Sequence, residues 1–409
     1  MIEHKFTIII PTRERPDTLY WTLKTALQQN YSNLEIIVSD NCSFDNTHEI
    51  VQSFKDPRVK YINTNKRTGM SQNWEFALSH VEEGFVTFLG DDDAFTPDAI
   101  GRVNEIVNTY KVEAVCVYNV FYGWPNNISD FYKNVLSIPK TKANQVISSK
   151  EALRDVLSFK KNYTELPFLY KGFVHINAIN KVKERSQGRF FHSMIPDVYS
   201  SLVIPEVIDY YYITDDKIAI NGGSGHSGGT AQFSPEKKKS DAAEKFIKED
   251  NLPFHEEYIR FIPSIEIIML ECIAQAQKWG FHQNTKLDIL TYIEQTLKID
   301  VQTGIVKYNM TVDYLRELGR KHHLSTEIEA LITKHPVKTK NKFTVLLSIL
   351  KSVKENVIID GNIYDISNVY DAALWLKKAS YSRNSIISYY HILRILLRAL
   401  FIKKIKQNA

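Results

Sequence analysis

The chain has 409 residues, 44% hydrophobic and 24% charged, the ordinary balance of a globular protein of two or three domains. A formal net charge of +4 gives no basic field for nucleic acid, and no nucleic-acid partner is expected. Cys42, Cys116 and Cys272 are far apart and form no Cys-x-x-Cys pair, which disfavours a disulfide framework or structural zinc and fits a reducing, cytoplasmic compartment.

The first apolar run, Phe6 to Ile10, is too short for a secretory signal. No stretch reaches the ~18 uninterrupted apolar residues of a spanning helix. The same run is rich in β-branched residues and ends at Pro11, which reads as a buried strand. Asp17 to Gln29 carries Leu19, Leu23, Ala26 and Leu27 at helical spacing. Leu34 to Val38 is a second strand ending at Ser39-Asp40, and Asp45 suits the N-cap of the next helix. A third strand at Val59 to Ile62, a helix at Ser71 to His80 and a fourth strand at Phe85 to Leu89 follow. Thr96-Pro97-Asp98 has the pattern of an N-cap, a proline at N1 and a first-turn acid. Such alternation predicts an α/β fold: a Rossmann-like, mainly parallel sheet flanked by helices.

Beyond Ala114 the pattern is less regular, with strand-like runs at Ala114 to Tyr118 and Ile208 to Ile213 and a glycine-rich loop from Asn221 to Gly229. Ser234 to Asp250 is rich in lysine and glutamate, a linker or exposed helix. Helical patterns then dominate. The resulting division is 1–235 as an α/β domain and 236–409 as a mainly helical domain.

Asp91, Asp92 and Asp93 follow the fourth strand. Three adjacent carboxylates repel, and a divalent cation would relieve them. Oxygen ligands suit Mg²⁺ or Mn²⁺, and open α/β sheets bind ligands beyond the carboxyl ends of their strands. A solvated acidic turn is the alternative. Asp40 and Asn41 end the second strand in the same way, though Asp40 and Asp45 also suit a turn and a cap. No Gly-x-Gly-x-x-Gly or Walker A sequence is present, which disfavours dinucleotide oxidoreductases and P-loop enzymes.

Thr7-Ile8-Ile9-Ile10-Pro11-Thr12-Arg13-Glu14-Arg15, Glu35-Ile36-Ile37-Val38-Ser39-Asp40-Asn41 and Leu89-Gly90-Asp91-Asp92-Asp93 come in order. Together they resemble the family 2 glycosyltransferases of the GT-A fold, over roughly residues 1–235. The resemblance implies transfer of a sugar from a nucleotide-diphosphate sugar, a UDP-sugar by preference, to a hydroxyl of a glycan or lipid-linked acceptor in cell-surface polysaccharide synthesis. It implies Mn²⁺ or Mg²⁺ as cofactor and inversion at the sugar. Pro11, Thr12, Arg13 and Arg15 would pack on base and phosphates, Asp40 would read the base with Asn41 beside it, and Arg67 and Gly69 would contact the donor. Asp93 would hold the metal, Asp91 would touch the ribose or the metal shell, and Asp92 would face the donor sugar. Asp197 would be the catalytic base, with Glu165 and Asp209 as rivals; the alternative for Asp197 is the cap of a helix beginning at Val198. His226 would be a further metal ligand in a glycine loop that closes over the donor, or an incidental surface histidine. The Gln-x-x-Arg-Trp signature of processive synthases is missing, which favours single additions.

Outside the resemblance, Phe261 to Trp279 reads as a buried helix with Ile265, Ile268, Met269, Cys272 and Ile273 on one face. Residues 385–406 are apolar and aromatic with interspersed Arg394, Arg398, Lys403, Lys404 and Lys406. That pattern fits a helix lying on the inner face of an anionic membrane, or one packed on its own domain with snorkelling basic chains. A homo-oligomer is compatible with the helical domain. The rival functions are a nucleotidyltransferase on a similar sheet and a non-catalytic nucleotide-sugar-binding scaffold.

Overall fold

The computed structural model describes residues 1–140, 144–226, 252–301, 305–337, 352, 354–379 and 389–396. The expected boundary at 235, the stretch 234–250 and most of 385–406 lie outside them. The strands are β1 (Phe6–Thr12), β2 (Leu34–Asp40), β3 (Val59–Asn63), β4 (Phe85–Phe88), β5 (Ala94–Phe95), β6 (Ala114–Val117), β7 (Val120–Gly123), β8 (Val135–Pro139), β9 (Gln145–Ser148), β10 (Phe173–His175), β11 (Tyr210–Thr214), β12 (Ala219–Gly223) and β13 (Asn356–Asp360).

One sheet has eight strands in the order β3-β2-β1-β4-β10-β6-β11-β9. Its first four strands are parallel, as the alternating pattern predicts. Ile8, Ile9, Ile10, Ile36, Ile37 and Val38 are all fully buried, because the crossover helices cover both faces of a parallel sheet. Those helices are α1 (Pro16–Leu27), α2 (Thr47–Gln52) and α3 (Met70–Leu78), followed by α4 (Ala99–Tyr110), α5 (Ser149–Leu157) and α6 (Ile176–Arg185). The other half is mixed: β10 runs antiparallel between β4 and β6, β11 is parallel to β6, and β9 closes the edge antiparallel.

A second sheet, β13-β8-β7-β12-β5, was not legible in the sequence. Its β12 includes Gly222 and Gly223, which the sequence reading placed in a loop. Its edge strand β13 comes from the C-terminal region and pairs antiparallel with β8. The described residues beyond 252 are otherwise mainly helical, at Ile265–Gln277, Ile289–Asp300, Ile305–His322, Ser325–Lys334 and Val369–Lys378.

Three local expectations shift. Asp45 does not cap α2; its Oδ1 accepts from the N–H and hydroxyl of Thr47, and Asn46 occupies the cap. Pro97 does not open α4, which begins at Ala99 behind Asp98 held at φ 65°. Helix Ile265–Gln277 is buried around its whole circumference from Glu266 to Ala276, not on one face.

Candidate functional site

The site lies at the carboxyl ends of β1, β2 and β4. Thr12, the last residue of β1, stands opposite Asp40, the last of β2. The Thr12 hydroxyl donates to Asp91 Oδ2 at 2.8 Å, so the tips of β1 and β4 are joined. Pro11 is half-buried one residue earlier, opposite Ser39. Arg13 is half-buried on the turn that leads into α1.

The acidic triplet divides into three environments. Asp91 pairs with Arg15, whose Nη1 lies 3.0 Å from Oδ1. Asp93 is fully buried. Lys171 Nζ donates to its Oδ2 at 3.0 Å, Gly90 N–H to the same oxygen at 3.0 Å, and Gly222 N–H to Oδ1 at 2.7 Å. Asp92 Oδ2 accepts from the Ser224 hydroxyl at 2.6 Å, while Oδ1 has no hydrogen bond among the described residues. Two backbone carbonyls anchor the turn: Trp124 Nε1 donates to that of Asp92 at 2.9 Å, and the Thr22 hydroxyl to that of Asp93 at 2.8 Å.

The electrostatics follow from this division. Arg15 and Lys171 are two cations set against three carboxylates, which leaves Asp92 without a counter-charge of its own. Burial, then the charges of Asp93 and Asp91, push the Asp92 carboxyl up to about 7. Lys171 is also buried, which lowers its pKa against the opposing pull of Asp93. Its Nζ donates to Asn221 Oδ1 at 2.6 Å and lies 3.3 Å from the centre of the Tyr170 ring. The expected metal ligand, Asp93, is therefore taken up by the chain's own lysine and two backbone N–H groups. The carboxylate with an oxygen open to a hard cation is Asp92. Among the described residues no three His, Cys, Asp or Glu side chains converge as a metal site.

Asp197 sits in the first turn of α7 (Pro196–Val203), behind Pro196 at N1. It does not cap that helix, whose cap residue is Ile195. Burial pushes its carboxyl up, while hydrogen bonding at the helix start and the charge of Lys171 act the other way. Lys171 and Tyr170 feel Asp92, Asp93 and Asp197 together, so the triplet and Asp197 share one electrostatic neighbourhood. Of the rivals, Glu165 accepts from the Tyr118 hydroxyl at 3.3 Å. Asp209 is exposed just before β11, at the amino end of a strand parallel to β6, away from the carboxyl-end edge that carries the triplet.

The residues expected to meet the base and phosphates are more internally engaged than the sequence suggests. Asp40 Oδ1 accepts from the N–H and hydroxyl of Ser43, and Oδ2 from the Tyr61 hydroxyl at 2.5 Å and Asn63 Nδ2 at 3.1 Å. Asn41 clamps the next loop, donating to the Thr68 carbonyl at 2.8 Å and accepting from the Thr68 N–H at 2.9 Å. Arg67 is exposed, pairs with Glu14 and covers the ring of Phe44 at 4.7 Å. Gly69 is buried at the cap of α3, its N–H donating to Gln72 Oε1 at 2.8 Å. His226 is exposed just past Ser224, and 227–229 lie outside the described residues. Gly222 serves close packing rather than loop closure: a Cβ there would meet the Asp92 carbonyl oxygen at 1.7 Å. Sequence reasoning missed Lys171, Tyr170, Asn221 and Ser224, which carry no motif; the position of Asn221 and Ser224 in a glycine-rich segment is the one signal that was present.

Residues 7–160 match the family described as Glycosyl transferase family 2. The GalNAc(5)-diNAcBac-PP-undecaprenol beta-1,3-glucosyltransferase of Campylobacter jejuni is 36% identical over 107 residues, which is 25% of this chain and 35% of that protein. The UDP-Glc:alpha-D-GlcNAc-diphosphoundecaprenol beta-1,3-glucosyltransferase WfaP of Escherichia coli is 34% identical over 106 residues, 26% of this chain and 42% of that protein. The match thus spans well under half the length of either relative. The crystal structure of S. aureus TarS 1-349 in complex with UDP-GlcNAc aligns over 79% of this chain and 89% of that one, at 14% identity and a TM-score of 0.46. The match at 7–160 takes in the β1 to β4 half of the large sheet, with Thr12, Arg15, Asp40 and the acidic triplet at its edge.

Proposed function

We propose that the protein transfers a single sugar from a UDP-sugar to a hydroxyl of a polyprenyl-diphosphate-linked glycan, with inversion, in the synthesis of a bacterial surface polysaccharide. The observation that carries this reading is the segment 169–171, which joins the two acids: Lys171 Nζ lies 3.0 Å from Asp93 beside Asp92, and the Leu169 N–H donates to Ser200 on the helix of Asp197 at 3.3 Å. It pairs an uncompensated carboxylate, suited to a cation and a diphosphate, with a carboxyl of raised pKa, suited to taking a proton. The names of the relatives point to UDP-glucose as the first donor to test and to a lipid-diphosphate acceptor.

In this reading Arg15 and Lys171 hold Asp91 and Asp93 in place, and Asp92 Oδ1 faces the donor. Asp92 would hold Mn²⁺ or Mg²⁺, with the rest of the ion's shell from diphosphate and water. Bound there, the ion would offset the charge building on the departing nucleoside diphosphate. Asp40 and Asn63 would flank the base, and Asp40 would exchange its bond from Asn63 for one from the base. Asp197 accepts the proton of the acceptor hydroxyl as its oxygen bonds to the anomeric carbon, and the bond to the diphosphate breaks on the opposite face.

Among the described residues no helix is long and apolar enough to cross a membrane. Contact with the lipid surface would fall to the C-terminal segment, whose described turn exposes Tyr389, Tyr390 and Leu393 while Ile392 and Ile395 are buried.

The test is UDP release from UDP-glucose with Mn²⁺ and a polyprenyl-diphosphate-linked N-acetylglucosamine acceptor. A panel of other UDP-sugars serves as the second arm. Activity should fall by about 100-fold or more in Asp92→Asn and in Asp197→Asn. Release of pyrophosphate from UTP instead of UDP from a UDP-sugar would replace this reading with nucleotidyl transfer, and UDP binding without turnover of any donor would favour a scaffold.

A further inference from the structure

Glu271 is a fully buried acid that the proposed chemistry does not use. It lies on helix Ile265–Gln277, beyond the family match at 7–160. An unpaired buried carboxylate is costly, so its partners matter. Its Oε2 accepts from the Ser193 hydroxyl at 2.5 Å, and its Oε1 from Gln275 Nε2 at 2.9 Å and the His255 N–H at 3.2 Å. Ser193 lies on the short segment that leads into α7 and delivers Asp197.

That segment is fastened from the opposite side as well. The Ser71 hydroxyl on α3 donates to the Ser193 carbonyl at 2.5 Å. The Glu75 carboxylate on α3 accepts the N–H of Phe190 at 2.9 Å and of Phe191 at 2.8 Å. Cys272 Sγ donates to Ser193 Oγ at 3.3 Å, and the Ile195 N–H approaches the same oxygen at 3.4 Å. The segment is thus clamped between α3, which starts at the donor-side loop ending in Gly69, and the helical region. A base must stand within hydrogen-bond reach of the proton it takes, and small displacements of such a group are costly to rate.

We infer that Glu271 is a positioning residue: through Ser193 it fixes the start of α7 so that Asp197 faces the acceptor. The helical region is by this account part of the catalytic unit and not an appendage. The inference rests on Asp197 being the base.

The test uses the full chain with Glu271→Ala, Glu271→Gln, Ser193→Ala and Asp197→Asn. Three quantities are read: UDP binding by calorimetry, transfer from UDP-glucose, and amide hydrogen exchange along 190–198. Glu271→Ala should bind UDP within about two-fold of the parent and lose about 10–100-fold in kcat. Exchange should rise at 190–198 and stay unchanged at 91–93. Glu271→Gln keeps an acceptor oxygen for Ser193 and should recover most of kcat. Ser193→Ala removes only the linking hydroxyl and stands in if Glu271→Ala does not fold. Wild-type kcat in Glu271→Ala and Ser193→Ala overturns the inference, as does equal loss of UDP binding and turnover. Wild-type transfer by Asp197→Asn would instead overturn the assignment of the base.

Discussion

Lys171→Met separates charge from packing at the centre of the site. Methionine keeps an unbranched stem against Tyr170 and removes only the ammonium. In the parent, the Lys171 and Asp93 side chains are 2% and 0% exposed and lie 3.0 Å apart. Removing one partner of a buried pair typically costs about 3–5 kcal/mol, because the remaining charge has neither water nor a counter-ion. Asp93 keeps its N–H donors from Gly90 and Gly222, which places the loss near the lower end, at about 3 kcal/mol. Urea unfolding followed by tryptophan fluorescence would read it, with the slope checked for constancy. Adding Asp93→Asn removes the stranded charge, so the double variant should be more stable than Lys171→Met alone by about 1–3 kcal/mol. A loss below about 1 kcal/mol in the single variant, or a double variant no more stable than the single, would show that Lys171 does not carry the charge of Asp93.

The Asp92 carboxyl is pushed up to about 7 from an ordinary 3.8, so its charged form costs stability above pH 7 and that cost fades as pH falls towards 3.8. Millimolar Mn²⁺ should therefore raise Tm more at pH 8 than at pH 5, and should do little in Asp92→Asn; equal shifts at both pH values would contradict the assignment. Asp197→Asn should lower kcat/KM by about 10²–10⁴, the usual size of a lost general base. Because burial raises the Asp197 pKa, the acid limb of the parent's kcat/KM profile should lie above the ordinary carboxylate range, and a profile flat down to pH 4 would count against it as the base. Gly222→Ala places a Cβ 1.7 Å from the Asp92 carbonyl oxygen and must push the triplet aside. It should cost about 1–3 kcal/mol and weaken UDP binding, and calorimetry showing parental affinity would argue that this strand does not shape the site.

The β1 to β4 half of the sheet was legible because β1, β2 and β4 are short apolar runs buried on both faces, β3 is a half-buried edge, and amphipathic helices separate them. The second sheet was not. Its β5, β7, β8 and β12 are two to five residues long, and β13 arrives from beyond residue 350, so no local pattern announces their pairing. The acidic triplet was legible as a candidate site from its place after a buried strand. The roles within it were not, because they are set by residues remote in sequence. Asp93 was expected to hold a metal, and its carboxylate here accepts from Lys171. Asp92 was expected to face the sugar, and it is the carboxylate with an oxygen left open. Asn41 and Gly69 read as donor contacts, but their hydrogen bonds build the loop that carries Arg67.

Successive residues leaving a strand point in different directions, so the triplet cannot present three equivalent carboxylates. Asp91 turns towards the β1 loop and meets Arg15. Asp93 turns inward, where only a buried cation could tolerate it, and Lys171 supplies that cation. The two compensating charges come from different parts of the chain: Arg15 lies within the family match at 7–160 and Lys171 lies outside it. Ser224, which steadies Asp92, and Asp197 lie outside it as well. The matched domain alone would therefore carry two uncompensated carboxylates at its edge. The segments beside β10 and β12, laid against β4, leave the triplet with a single residual negative charge. The site is a property of the joined sheets, and the family motif is its acidic half.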